Sequence, residues 1–195
     1  MLFIITLVIT MSRTAIGISY IFFLIFSIYL FKSFPKKKNI FLLLVLVFTL
    51  ILAAPLNYYR ISSLLSSVDT SLAERILLTK AAIIMIKNNF VFGVGINNFL
   101  FNLPSQLLLQ PVHNTYLLIL TESGIAGLIL FVYILYKTWK NIIKIRGITK
   151  ILLYITFLQI LLLLLTDHYF YTLWQGQLIF VFFISFMLTK QVKYE

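Results

Sequence analysis

Apolar residues in this chain come in long runs, separated by short segments that gather the lysines, arginines, prolines and asparagines. No stretch alternates apolar and polar residues with the two-residue period of a half-buried strand, so the runs read as helices. Residues 14–31 form the first run long enough to cross a bilayer at about 1.5 Å per residue. Lys32-Ser33-Phe34-Pro35-Lys36-Lys37-Lys38-Asn39 follows, with a proline that breaks the helix. Residues 40–56 predict a second crossing, 114–136 a third and 151–165 a fourth. The third is followed by a basic loop holding Lys137, Lys140, Lys144, Arg146 and Lys150. After a short polar-aromatic turn over 167–177, residues 178–189 complete a fifth crossing, which begins near Phe170. Residues 1–11 are apolar but cover only about half of a bilayer core. They lack the positive start and small-residue cleavage site of a signal peptide and read as the second half of a spanning helix. A fragment, a split gene product and a true short form all fit that reading. The first two imply a missing N-terminal half or a partner chain.

Residues 57–112 decide the topology. Their most apolar run, 76–86, is interrupted by Lys80 and is too short to span. If the segment stays outside the bilayer core, the three lysine-rich ends of the other runs fall on one face. Of 16 Lys and Arg, five (Arg13, Arg60, Arg75, Lys80, Lys87) lie on the opposite face, leaving 16 − 5 = 11 beside a single acid, Glu195. The positive-inside rule makes the richer face cytoplasmic and 57–112 an external, periplasmic helical loop. Within it, Ser71-Leu72-Ala73-Glu74 has the spacing of a capping box, so a helix is expected from there to about Lys87, where Asn88-Asn89 stops it. Phe92-Gly93-Val94-Gly95 then turns the chain, and Pro104 and Pro111 keep the next stretch from forming one straight helix. The expected fold is all-α, a polytopic membrane helix bundle forming one domain over 1–195, with an external helical segment between the second and third crossings.

Composition supports the membrane reading. The chain is 62% hydrophobic and 11% charged, with a mean hydropathy of +1.05, whereas a soluble domain is about half apolar and roughly a quarter charged. The net charge of +11 sits in short loops between apolar runs, which marks membrane orientation and not nucleic-acid binding. The absence of cysteine removes disulfides and thiolate sites. Few carboxylates lie near the two histidines in sequence, so neither a metal nor a cofactor is expected.

His113 is the leading candidate for chemistry. It lies where a polar segment meets the outer end of the third crossing, with Pro111 and Asn114 around it favouring a helix start. Arg13, at the outer end of the first crossing, and Arg75, near the start of the outer helix, fall on the same side. A titratable base beside fixed cations suits a phosphate-linked substrate at a membrane surface. An arginine at a helix end also serves simply to reach lipid headgroups. Arg75 runs against its helix dipole, which asks for a partner in Glu74 or Asp69, or for a bound anion. The positive helix end and the arginines would keep His113 neutral and able to take a proton. His168, beside Asp167, is the rival base on the same side. Glu122 lies about 13 Å into the third crossing, where a carboxylate is a functional candidate. Its spacing puts it on the face opposite His113 unless Gly124 bends the helix. No strand precedes Phe92-Gly93-Val94-Gly95, so this segment reads as a turn and not a phosphate loop.

In order and spacing, several pieces resemble the C-terminal half of the O-antigen ligase family, which also holds O-antigen polymerases and bacterial O-oligosaccharyltransferases. They are Thr10-Met11-Ser12-Arg13, Arg75 with Ala81-Ala82-Ile83-Ile84-Met85-Ile86, Phe92-Gly93-Val94-Gly95 with Asn98-Phe99, His113-Asn114-Thr115-Tyr116-Leu117, and Glu122-Ser123-Gly124-Ile125-Ala126-Gly127. The resemblance implies an inverting glycosyltransferase in the bacterial cytoplasmic membrane, with its site on the outer face. Its donor would be an undecaprenyl-diphosphate-linked glycan and its acceptor a glycan or lipid-linked hydroxyl. His113 would be the base, and Arg13 and Arg75 would hold the diphosphate. Glu122, Asp167 and His168 are supporting candidates. A polymerase of the same family, a non-catalytic half-protein and a lipid-transport module are the alternatives.

Overall fold

The computed structural model describes residues 70–105 and 109–189, together with residues 17, 18, 21, 22, 24–26, 28 and 29. The chain divides into two compact units, Met1–Thr70 and Ser71–Glu195. Apart from Thr70, where the next helix begins, the described residues of the first unit are helical and fall inside the expected first crossing. The expected second crossing and Arg13 lie outside the described residues.

The second unit is all helix and turn among the described residues. It contains α1 (Thr70–Asn88), a 3-10 turn (Leu100–Asn102), α2 (Thr115–Ile142), α3 (Gly147–Thr166), the single turn α4 (Tyr169–Thr172) and α5 (Trp174–Thr189). α2 and α3 are long and apolar enough to cross a membrane, and α5 is a shorter apolar helix. These three pack through Leu135, Ile142, Phe157, Ile160, Leu164, Ile184 and Met187, all buried. Their other faces leave Ile129, Leu130, Leu178, Ile179 and Phe182 exposed, an apolar belt that water would penalise and lipid would not. Asn141 donates to the Met187 carbonyl at one end of this group, and Asn114 donates to the Leu165 carbonyl at the other. α2 and α3 are therefore antiparallel, and the start of α2 meets the end of α3. A groove of about 360 Å³ between them is lined by Tyr116, Leu135, Tyr136, Trp139, Tyr154 and Phe157.

Two boundaries differ from the sequence reading. α2 runs on to Ile142 and α3 begins at Gly147, so Lys137, Lys140 and Lys150 ride on helices and the basic loop shrinks to Lys144 and Arg146. Long lysine stems tolerate a helix end as well as a loop, so their charge did not mark where the helix stops. The turn expected over 167–177 contains α4 and the start of α5.

α1 matches the expected outer helix within a residue at each end, and Leu78, Ala82 and Met85 bury one side of it against Phe99, Val112 and Leu118. The loop that follows is built into α2. At Gly124 the helix is interrupted by φ 66° and ψ −168°, a backbone region open essentially only to glycine. The interruption frees the Thr121 and Glu122 carbonyls and the Ile125 N–H from helical pairing. Val94 and Gly95 donate to those two carbonyls and Ile125 donates to the Phe90 carbonyl, each at 2.9 Å. Backbone groups at membrane depth must be satisfied internally, and this exchange satisfies them. It also brings the strands of chain so close that a Cβ on Gly124 would strike the Val91 carbonyl, and one on Gly93 the backbone of Glu122.

Gly124→Ala should therefore destabilise the chain by about 3 kcal/mol or more, since strained φ/ψ and backbone overlap combine. Gly17→Ala, where a Cβ meets nothing within 4 Å among the described residues, serves as the control. Thermal unfolding of the detergent-purified variants checks this, and equal melting temperatures would refute it.

Candidate functional site

The start of α2 and the end of α3 bring three of the candidate side chains together. Asn114 caps α2 by accepting from the Leu117 N–H at 2.9 Å, which leaves His113 just outside the helix. Thr115 donates to the Asp167 carbonyl at 2.8 Å and is buried, tying the two chain ends to each other. His113 and His168 consequently meet edge to face, with ring centroids 5.3 Å apart. Nitrogens of both rings and a carboxylate oxygen of Asp167 all lie within 4.8 Å of one another.

Asp167 is 2% exposed and its Oδ1 accepts from the His168 N–H at 2.9 Å. His168 Nε2 lies 3.9 Å from the same oxygen, while His168 Nδ1 is 2.6 Å from the Thr172 hydroxyl. Two buried atoms in this cluster have no hydrogen-bond partner, His113 Nδ1 and Asp167 Oδ2. One can carry a proton and the other can accept it.

Both histidines have pKa values below the ordinary 6.5. For His113 burial is the leading cause, followed by the Arg75 charge, with Asp167 pulling the other way. For His168 burial again leads, Asp167 opposes it and Arg75 adds to it. The sequence reading attributed a lowered His113 pKa to the helix end and the arginines, and desolvation outweighs both. Arg75 thus acts electrostatically on both rings from α1. It stands in the second turn of that helix, because the helix begins at Thr70, and among the described residues no carboxylate forms an ion pair with it.

Two histidines and a carboxylate form a ligand set that suits divalent transition metals, and proximity in sequence gave no hint of it. The guanidinium charge that reaches both rings opposes a second cation there and favours an anion. The cluster has the groups for proton transfer beside an anion as well as for metal binding.

Glu122 is not part of this cluster. It is 4% exposed, its Oε1 accepts from the Phe99 N–H at 3.3 Å and its Oε2 accepts from the Tyr171 hydroxyl at 2.8 Å. Gly124 does break the helix, yet the carboxylate turns toward Phe99 and Tyr171 and away from His113. Burial and the Glu122 hydrogen bond hold the Tyr171 phenol well above its usual range. Thr172 and Tyr171 were absent from the sequence reading. Four-residue spacing from His168 to Thr172 is the helical signal that would have found the first. Phe92-Gly93-Val94-Gly95 is the turn expected, with φ of 70° at Gly93 and 101° at Gly95.

No curated protein and no solved structure matches the chain. The family model for O-antigen ligase matches residues 1–132, a span that takes in Arg75, His113, Glu122 and the helix break at Gly124. On that match the chain belongs to the O-antigen ligase family.

Proposed function

We propose that this chain is a membrane glycosyltransferase moving a glycan from undecaprenyl diphosphate to an acceptor hydroxyl on the outer face of the cytoplasmic membrane. The family suggests ligase- or polymerase-type chemistry on lipid-linked glycans in a membrane. The observation that carries the finer reading is a half-buried imidazole clustered with a buried carboxylate, its pKa depressed by burial and by the charge of an arginine that no described acid neutralises.

In the proposed step His113 takes the proton of the acceptor hydroxyl as its oxygen bonds to the sugar's anomeric carbon, with inversion. The bond from that carbon to the diphosphate oxygen breaks, and undecaprenyl diphosphate departs with the electron pair. Arg75 stabilises the charge that develops on it, a task for which a guanidinium fork suits paired phosphate oxygens. Asp167 orients His113 through the Nδ1 proton and stabilises the imidazolium, as a carboxylate does for a catalytic histidine. His168 completes the carboxylate's surroundings. The sequence resemblance gives Arg13 the same role as Arg75, and that assignment rests on the sequence alone. The apolar groove between α2 and α3, which begins at Tyr116 one turn from His113, suits a substrate that carries a lipid tail.

Four outcomes are expected. His113→Ala should lower glycan transfer in native membranes by roughly 10²–10⁴-fold at an unchanged amount of protein, the usual contribution of a general base; retained transfer would sink the proposal, and a greater dependence on Glu122 than on His113 would favour lipid transport. The rate against pH should hold through neutrality and fall only below the ordinary histidine range, because a lowered pKa keeps the base form to lower pH. Arg75→Gln removes a charge that lowers the His113 pKa, so its acidic limb should move to higher pH; a limb that stays put would separate Arg75 from the base. For the topology, a reporter fused after Ser105 should be external, and a cytoplasmic signal would overturn the outer-face placement.

A further inference from the structure

We propose that Glu122 is a positioning residue, which through Tyr171 holds the segment carrying Asp167 and His168 in register with His113. This rests on the transfer reading above and adds to it a residue that touches none of the reacting groups.

The path is short and runs entirely through hydrogen bonds. Glu122 is fixed on one side by the Phe99 N–H, itself on a residue 1% exposed. On the other side it receives the Tyr171 hydroxyl. Tyr171 lies in α4, whose single turn is closed by the Tyr171 and Thr172 N–H groups donating to the His168 carbonyl at 2.9 and 3.0 Å. Thr172 in that same turn meets His168 Nδ1, and Gln177 from α5 donates to the Tyr171 carbonyl. A four-residue helix has little stability of its own. Its place is set by what grips it, and the Tyr171 hydroxyl reaches α2, donating to Glu122 and also meeting the Ser123 side chain. Asp167 and His168 immediately precede this turn, so a shift of α4 moves both.

A second use of Glu122, as an intramembrane charge or proton carrier, fits the geometry less well. Both carboxylate oxygens are occupied by donors, and the residue is buried beside the backbone exchange at Gly124. What the site requires at this position is a pair of hydrogen bonds. A glutamine amide can supply both, its oxygen accepting from the Phe99 N–H and its nitrogen donating to the Tyr171 oxygen. A leucine supplies neither.

The test compares Glu122→Gln, Glu122→Leu, Tyr171→Phe and the Leu/Phe double variant with His113→Ala, all in the full chain in native membranes. Glu122→Gln should turn over near the wild-type rate. Tyr171→Phe should lower kcat by roughly 10- to 100-fold with an unchanged KM for the lipid-linked donor, since a misplacement of about 1 Å can cost about 10²-fold. The double variant should be no worse than the poorer single one, because both remove the same bond. The proposal is overturned if Glu122→Gln is as impaired as Glu122→Leu at equal protein level, which would mean the charge matters, or if Tyr171→Phe keeps full kcat. Should Glu122→Leu fail to accumulate, Glu122→Gln and Tyr171→Phe still decide. An inactive His113→Ala beside a fully active Tyr171→Phe defeats only the positioning role. An active His113→Ala defeats the transfer reading, and the positioning of His113 with it.

Discussion

The break in α2 at Gly124 is the constraint on which the rest of the second unit depends. A helix that stops pairing with itself inside an apolar environment leaves carbonyls and N–H groups that cost about 1–3 kcal/mol each when buried without partners. Here the loop over 90–95 supplies those partners in the three exchanged bonds of 2.9 Å. The exchange works only at van der Waals contact between two backbones, and glycine at 93 and 124 is what permits that distance. With the loop so fixed, Phe99 is carried into the buried cluster with Leu78, Val112 and Leu118, and its N–H is delivered to Glu122. α1, the loop, α2 and α4 are thus joined around one interruption.

That joining explains how charges from distant parts of the chain meet. Arg75 comes from α1, His113 from the approach to α2, and Asp167 and His168 from the exit of α3. α2 and α3 are antiparallel, so the start of one and the end of the other share a level, and the Asn114 and Thr115 bonds to the Leu165 and Asp167 carbonyls lock that level. Burial then does two things at once. It removes water that would screen Arg75 from the imidazoles, and it penalises the protonated rings, so both effects favour neutral rings.

The helices were legible in the sequence because apolar runs are long and their ends are marked by proline, asparagine and lysine. α1 is expected from a capping-box spacing and an Asn-Asn stop, and the structure has a helix over Thr70–Asn88, with Ser71 inside its first turn. What the sequence could not show is pairing between segments remote in the chain. Glu122 looked like an intramembrane charge because nothing nearby in sequence explains it, and its partners are Phe99 and Tyr171. The rivalry between His113 and His168 had no solution in sequence either, since each had a plausible neighbour. Their edge-to-face meeting makes them one cluster with Asp167 between two claims.

Within that cluster the two rings are not equivalent, and the difference favours His113 as the base. His168 has its Nδ1 held by Thr172 at 2.6 Å and its Nε2 turned toward Asp167 at 3.9 Å, so both nitrogens face the protein. His113 has a buried Nδ1 with no partner among the described residues, and Asp167 has an oxygen equally without one. A base must gain a proton at one nitrogen while the other is steadied, and among the described residues His113 is the histidine with a buried ring nitrogen left without a partner. His168 pins the carboxylate's first oxygen through its own N–H, and the second has no partner among the described residues. Under the transfer proposed above, one histidine is the base and the other a holder of the carboxylate, with the Arg75 charge favouring an anion beside them.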